Sequence, residues 1–168
     1  DETISTDGRV DAEPVAPVSE ITLRGAHNVE NVLAATAMAL WTGMDPADIR
    51  KGIAMFRGVA HRIERVHDAR GVTFYNDSKG TNVASTVKAL ESFPEPVILI
   101  AGGKGKGQDF APLGAAARGR VRNAVLIGAD RDQIRRVLAD ASIPTENAES
   151  MEEAVRLVEA HGGESVAL

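Results

Sequence analysis

The spacing of hydrophobic residues changes along the chain and divides the sequence into two parts. In the first part, apolar residues recur at intervals of three and four, which predicts an amphipathic helix that ends near Gly43. A second helix is predicted after Asp45, because a capping acid followed by proline favours a helix start. The predicted apolar face of the first helix consists of Val29, Val32, Leu33, Thr36, Leu40 and Trp41.

The segments that flank these helices have weaker patterns. Residues 1–18 alternate polar and small side chains around two prolines, which is typical of a loop or a weak edge strand. The following segment, Ser19 to Leu23, favours a short strand with two apolar residues on one face. A break near residues 57–60 ends this first part of the chain.

From residue 72 onward, predicted strands alternate with predicted helices. The runs 61–66 and 72–75 indicate a hairpin. The runs 97–100 and 124–127 are continuous aliphatic segments, typical of parallel strands buried on both faces. The chain closes on an apolar run, 166–168, which we interpret as the beginning of a further strand in a fragment of a longer protein. Helices are predicted over 83–93, 112–118, 130–139 and 150–161, and a weaker segment over 143–148.

This alternation predicts an α/β protein with a Rossmann-like, mostly parallel sheet and flanking helices. The sheet is preceded by a mainly helical segment. We therefore expect two unequal domains, residues 1–58 and residues 59–168.

Composition narrows the classes of function. The formal net charge of −5 argues against a protein that coats nucleic acid, because such proteins usually carry a basic surface. The absence of cysteine excludes disulfides and thiolate zinc sites, and four scattered histidines lack the spacing of a metal site. No run approaches the roughly 18 apolar residues of a membrane span.

The densest group of polar residues lies between a predicted strand and a predicted helix. Asn76 to Asn82 contains an acid, a base and two hydroxyls at the edge of the sheet where α/β proteins bind ligands. Asp77 suits a ribose, and Lys79 and Thr81 suit a carboxylate or a phosphate at a helix start. The same residue types also cap helices and close turns, so both interpretations stand at this point.

Three further motifs carry candidate binding residues. Asn28 and Asn31 offer amides on one end of a helix, where they suit the edge of a base, although Asn28 also fits a helix cap. Arg62 offers a planar guanidinium group that suits a phosphate or stacks on a base, or that forms a surface salt bridge. The stretch Gly102 to Gly107 places glycines and two lysines after a buried strand, which indicates an anion site that matches neither the Walker nor the dinucleotide pattern.

In their order along the chain, these motifs resemble the Mur ligase family, the ATP-dependent amide ligases of peptidoglycan precursor synthesis. The resemblance covers about residues 20 to 130 and rests on four segments of this sequence. The third segment, with its Asp-Ser-Lys-x-Thr-Asn order, is similar to the family members that add D-glutamate. The segments are 25–31, 58–64, 76–82 and 102–110.

The resemblance implies a three-domain, monomeric, cytoplasmic enzyme, of which this chain holds the end of the central ATPase domain and most of the C-terminal domain. ATP would phosphorylate UDP-N-acetylmuramoyl-L-alanine, and D-glutamate would attack the acyl phosphate. It implies that Asn28 and Asn31 contact the adenine and that Arg62 and Asp77 hold the nucleotide. Lys79 and Thr81 would face the reacting substrates, and Thr81 with Lys106 would bind the D-glutamate carboxylate.

The family's phosphate-binding loop and its magnesium ligands do not appear in this sequence, so no complete catalytic set and no metal site are expected here. ATP and magnesium would be held mainly by the missing part, and the chain alone is expected to be inactive. Two alternatives remain: a stand-alone Rossmann-like module that binds a nucleotide or an acidic metabolite, and a ligase like folylpolyglutamate synthase. The Asp77-Ser78-Lys79 triplet disfavours the second alternative.

Overall fold

The computed structural model describes residues 3–5, 14–104, 107–163 and 165–167. The chain divides into two compact units, residues 1–59 and residues 60–168. We call them the N-terminal unit and the C-terminal unit and describe each by itself.

The N-terminal unit is mainly helical. Strands β1 (Thr3–Ser5) and β2 (Pro14–Pro17) pair antiparallel, and a 3-10 helix (Val18–Glu20) follows them. Helix α1 (Ala26–Trp41) and helix α2 (Pro46–Met55) complete the unit. The predicted start of α2 is confirmed, since the Asp45 carboxylate accepts a hydrogen bond from the Ala47 amide at 2.7 Å.

Two predictions for this unit are wrong. Ser19 to Leu23 does not form a strand, because β2 has β1 as its partner and no further strand of the described residues pairs there. The predicted apolar face of α1 is only partly buried: Thr36 is buried, but Leu33 is 43% exposed and Trp41 is 90% exposed. Within the unit, the small core around Val15 and Ile49 covers one side of α1.

The C-terminal unit is a six-stranded sheet with helices on both faces. Its strands follow the spatial order β3-β4-β8-β5-β6-β7. Only β3 and β4 pair antiparallel, and every other neighbouring pair is parallel. The strands are β3 (Glu64–Ala69), β4 (Val72–Asn76), β5 (Val97–Gly103), β6 (Val121–Gly128), β7 (Thr145–Asn147) and β8 (Ser165–Ala167). The helices are α3 (Val83–Glu91), α4 (Ala111–Ala117), α5 (Arg131–Asp140) and α6 (Met151–His161).

Side chains of the central strands alternate between the two faces of the sheet, and each face has its own hydrophobic core. Leu99 and Leu126 face α3, α4 and α5, whereas Ile98 and Val125 face α6. All four side chains are nearly inaccessible to solvent, which explains the continuous aliphatic runs in the sequence. The prediction of a mostly parallel α/β sheet is confirmed.

Some element boundaries differ from the sequence prediction. The hairpin begins at Glu64 and not at residue 61, because His61 and Ile63 have left-handed backbone torsions that no strand accommodates. Strand β5 extends through Gly103, so Gly102 and Gly103 belong to the sheet and not to a loop. No helix in the described residues has the length and apolar character needed to cross a membrane.

Candidate functional site

The loop after β4 is folded tightly by its own backbone. The Gly80 amide donates to the Asp77 carbonyl at 2.8 Å, and the Thr81 amide donates to the Lys79 carbonyl at 2.9 Å. Asn82 is the N-cap of α3, and its side chain accepts from the Ser85 amide at 2.8 Å. Lys79 and Thr81 are exposed in the loop that precedes α3, at the carboxyl edge of the sheet.

The Asp77 side chain is half-buried and holds the segment 61–63. Its Oδ1 accepts a hydrogen bond from the Ile63 amide at 3.1 Å. A Cβ atom on Gly80 would lie 2.7 Å from Asp77 Oδ2, so a larger residue at position 80 would clash with the carboxylate. One carboxylate oxygen of Asp77, a residue predicted to bind the nucleotide, is thus already bonded to a backbone amide.

The segment 61–63 has an unusual conformation for three consecutive non-glycine residues. His61 has a φ of 66° and Ile63 a φ of 46°, which is an outlier for a β-branched side chain. Hydrogen bonds hold this conformation, including one from the Lys79 amide to the His61 carbonyl at 3.1 Å. Arg62 lies between the two strained residues; its side chain is exposed and has no hydrogen bond or ion pair within the described residues.

A residue outside the predicted site joins the loop after β5 to the start of α3. Gln108 Oε1 accepts a hydrogen bond from the Val83 amide at 3.0 Å. Because the first amides of a helix have no partner within the helix, this bond is a second cap on α3. The site predicted from the sequence does not include Gln108. Because Gln108 lies 25 residues from Val83 along the chain, no local sequence pattern indicates that it caps α3.

Strand pairing accounts for the first glycine of the stretch Gly102 to Gly107. A Cβ atom on Gly102 would lie 1.8 Å from the Ile127 carbonyl oxygen, so strand pairing alone requires glycine there. A Cβ atom on Gly128 would lie 2.7 Å from the Gly103 amide nitrogen. Lys104 is exposed, whereas Lys106 lies outside the described residues. The anion-site prediction for this stretch therefore rests on its lysines and not on the glycines of the sheet.

In the N-terminal unit, the two predicted amides contact each other on α1. Asn31 Nδ2 lies 3.4 Å from Asn28 Oδ1, and Asn28 Nδ2 donates to the Arg24 carbonyl at 2.6 Å. The helix cap is Gly25, so the alternative that Asn28 caps α1 is wrong. The N-cap residue has a φ of 93°, a torsion that glycine adopts without strain.

A separate polar cluster lies on β6, β7 and the end of α6, near the amino end of β6. Asn123 is buried, and its Nδ2 donates to Glu146 Oε1 at 2.8 Å. His161 Nε2 lies 2.6 Å from the same carboxylate oxygen. The Asn123 hydrogen bond, and after it His161, lower the pKa of Glu146 below its ordinary value of 4.5, against burial, which raises it.

This shift predicts a pH-dependent contribution to stability. Because the folded state favours the carboxylate, Glu146 stabilises the fold fully above about pH 4.5, and the contribution is lost as the pH falls through the lowered folded pKa. We expect Glu146→Gln to reduce the free energy of unfolding near pH 6 by about 1 kcal/mol or less, since the group is partly exposed. Wild type and variant should converge near pH 3.

Urea unfolding at three pH values measures this difference. Glu149→Gln is the matched control, because it removes a more exposed ion pair with Arg131 and should change stability less. A Glu146→Gln difference that stays constant from about pH 6 to pH 3 would contradict the assignment.

Comparison with known proteins identifies the family of this chain. Residues 61–168 match the family described as "Mur ligase, glutamate ligase domain". The chain belongs to the Mur ligase family. The resemblance carried by the sequence motifs is thereby confirmed.

Curated members of the Mur ligase family are similar to most of this chain. The UDP-N-acetylmuramoylalanine--D-glutamate ligase of Chromobacterium violaceum is 43% identical over 148 residues, which cover 88% of this chain and 33% of that protein. The protein of the same name from Acidobacterium capsulatum is 46% identical over 145 residues, which cover 86% of this chain and 31% of that protein. The chain thus spans about a third of the length of these relatives.

Solved structures share the fold at low sequence identity. The UDP-N-acetylmuramate-alanine ligase of Thermotoga maritima superposes with a TM-score of 0.69 at 20% identity, covering 87% of this chain and 34% of that one. The folylpolyglutamate synthase of Mycobacterium tuberculosis, complexed with ADP, superposes with a TM-score of 0.67 at 18% identity. The match covers 86% of this chain and 37% of that one. These likenesses establish the fold alone.

Proposed function

We propose that this chain is part of an ATP-dependent ligase that adds D-glutamate to UDP-N-acetylmuramoyl-L-alanine. The observation that carries the proposal is the 43% identity, over 148 residues, to a protein named UDP-N-acetylmuramoylalanine--D-glutamate ligase. The exposed Lys79 and Thr81 in the loop that precedes α3 support it, because they suit an anionic substrate.

The proposed reaction has two steps. A carboxylate oxygen of the L-alanyl group attacks the γ-phosphorus of ATP, which forms an acyl phosphate and releases ADP. The amine of D-glutamate then attacks the acyl carbon, the amide bond forms, and inorganic phosphate leaves. The chain's own contribution is to orient both substrates and to offset their negative charge.

We assign nucleotide binding to Asn28, Asn31, Arg62 and Asp77. The amides of Asn28 and Asn31 offer donors and acceptors for the edge of adenine. Arg62 fits a phosphate, since its exposed guanidinium has no other partner within the described residues. Asp77 suits a ribose hydroxyl at the end of β4, although the Ile63 amide already engages Oδ1.

We assign the amino-acid substrate to Lys79, Thr81 and Lys106. The short turn 77–81 and the two caps on α3 hold the Lys79 and Thr81 backbone in place. Thr81 and Lys106 would bind the D-glutamate carboxylate, a role that rests on the family resemblance.

Magnesium does not fit the described residues of this chain. No group of three or more histidine, aspartate or glutamate side chains stands together there in a way that could hold a metal ion. We infer that the ion is held mainly by the rest of the longer ligase.

We infer that residues 1–58 form the end of the central ATPase domain and residues 59–168 most of the C-terminal domain. The compact units 1–59 and 60–168 and the family match to residues 61–168 support this division. We further infer a monomeric, cytoplasmic enzyme; the cysteine-free sequence is compatible with a reducing compartment. The chain alone should release no phosphate from ATP and the muramoyl substrate.

The test is the amino-acid specificity of the longer ligase that contains this chain. With ATP and UDP-N-acetylmuramoyl-L-alanine, we expect phosphate release to depend on D-glutamate and to remain at background with L-glutamate or L-lysine. A parallel reaction with a folate and L-glutamate tests the alternative of a folylpolyglutamate synthase. Activity in that reaction, or equal use of the three amino acids, would overturn the proposal.

A further inference from the structure

Asn76, the last residue of β4, binds two parts of the site with one side chain. Its Oδ1 accepts a hydrogen bond from the Ser78 amide at 3.0 Å. Its Nδ2 lies 2.9 Å from the ring atom Nδ1 of His61. The structure therefore joins the start of the 76–82 stretch to the strained segment 61–63 through a single amide.

The orientation of this amide follows from its partners. A backbone N–H is an obligate donor, so the oxygen of the Asn76 amide must face Ser78 and the nitrogen must face His61. The amide nitrogen can only donate, and His61 Nδ1 must therefore accept. A neutral imidazole that accepts at Nδ1 carries its proton on Nε2.

We propose that Asn76 is a positioning residue that fixes His61 in the Nε2–H tautomer, and that this N–H, with Arg62, binds a phosphate oxygen of the nucleotide. This inference deepens the proposed function and rests on it. It assigns a binding role to His61 and a positioning role to Asn76.

The surroundings of His61 suit a donor for an anion. Its side chain is 59% exposed, and Arg62 is the adjacent residue. The charged group that pairs with the ring is Glu64, whose Oε2 accepts from the His61 amide at 2.8 Å and lies 4.0 Å from Nδ1. Glu64 therefore lies on the Nδ1 side, and within the described residues Nε2 has no hydrogen-bond partner.

The opposite tautomer of His61 would not bind a phosphate oxygen through Nε2. With the proton on Nδ1, the Nε2 atom presents a lone pair, which repels a phosphate oxygen. An aspartate at position 76 produces this state, because both carboxylate oxygens accept and one of them faces Nδ1.

The first measurement needs no ligase activity. Nitrogen-15 spectra of the imidazole in the intact 168-residue chain report which ring nitrogen carries the proton. We expect His61 of the wild type to carry it on Nε2, and His61 of Asn76→Asp to carry it on Nδ1 near pH 8.5. A wild-type ring with its proton on Nδ1 would overturn the proposal.

The second measurement uses inorganic tripolyphosphate as the probe. Titration into the chain should shift the His61 Nε2 resonance of the wild type, and Asn76→Asp should bind about tenfold more weakly near pH 8.5, the loss of one hydrogen bond to a charged group. An unchanged affinity or no wild-type response would each count against phosphate binding.

Asn147→Asp is the matched control. Asn147 is the last residue of β7 in the same sheet, and its side-chain oxygen accepts from Arg135, so aspartate adds the same charge and keeps the acceptor. We expect it to leave the His61 tautomer and the affinity for tripolyphosphate unchanged. Because neither measurement uses D-glutamate, a failure of this inference is distinguishable from a failure of the proposed ligase reaction.

Discussion

Gly102→Ala is expected to reduce the free energy of unfolding of the C-terminal unit by about 4 kcal/mol or more. The added Cβ would lie 1.8 Å from the carbonyl oxygen of Ile127, in the second-to-last residue pair of β5 and β6, near the carboxyl ends of the two strands. The preceding residues of both strands are buried between helices, so the two backbones cannot separate at Gly102 without straining that core. Urea unfolding followed by circular dichroism measures the effect.

Gly52→Ala is the control for this substitution. Gly52 lies inside α2, and a Cβ atom there would meet nothing within 4 Å. Alanine should raise helix stability by up to about 1 kcal/mol, because glycine is a poor helix former. If Gly102→Ala has the same urea midpoint of unfolding as the wild type, the premise that β5 and β6 approach too closely for a Cβ atom at position 102 is wrong.

Lys106→Ala is expected to raise the KM for D-glutamate of the longer ligase by about 10- to 100-fold, with little change in the KM for ATP. The reason is the loss of one charge-assisted hydrogen bond to a substrate carboxylate, which contributes roughly 1.5–3 kcal/mol. Steady-state kinetics with each substrate varied in turn separate the two effects.

Lys104→Ala provides the comparison, because Lys104 is an exposed lysine in the same stretch with no proposed substrate contact. It should leave both KM values within about twofold of the wild type. Equal effects of Lys106→Ala on D-glutamate and ATP would contradict the assignment of Lys106 to the amino-acid site.

Local sequence signals predicted the helix starts and the central strands well. Asp45, Asn82 and Ser150 each cap a helix with a side-chain oxygen, because this interaction involves residues only two or three positions apart. The aliphatic runs at 97–100 and 124–127 lie in β5 and β6, since a strand buried on both faces needs apolar side chains at every position.

Predictions that depended on distant partners were less successful. Trp41 fits the apolar period of α1, yet it is 90% exposed because the elements of its own unit pack on another side of the helix. The hairpin begins three residues later than predicted, since the torsions of His61 and Ile63 depend on contacts with residues 76–79. The roles assigned to Asn28, Asn31, Arg62, Asp77, Lys79, Thr81 and Lys106 remain predictions.

The sequence by itself determined the α/β class and the motifs by which the chain is placed among the Mur ligases, because both depend on residue types at short spacing. Only the tertiary structure decided how those motifs are connected. It joins Asp77 to Ile63, Asn76 to His61 and Gln108 to α3, across separations of 14, 15 and 25 residues. Hydrogen bonds across such separations leave no periodic trace in a sequence, since they form only when the sheet brings the start of β3 and the carboxyl ends of β4 and β5 to the same edge.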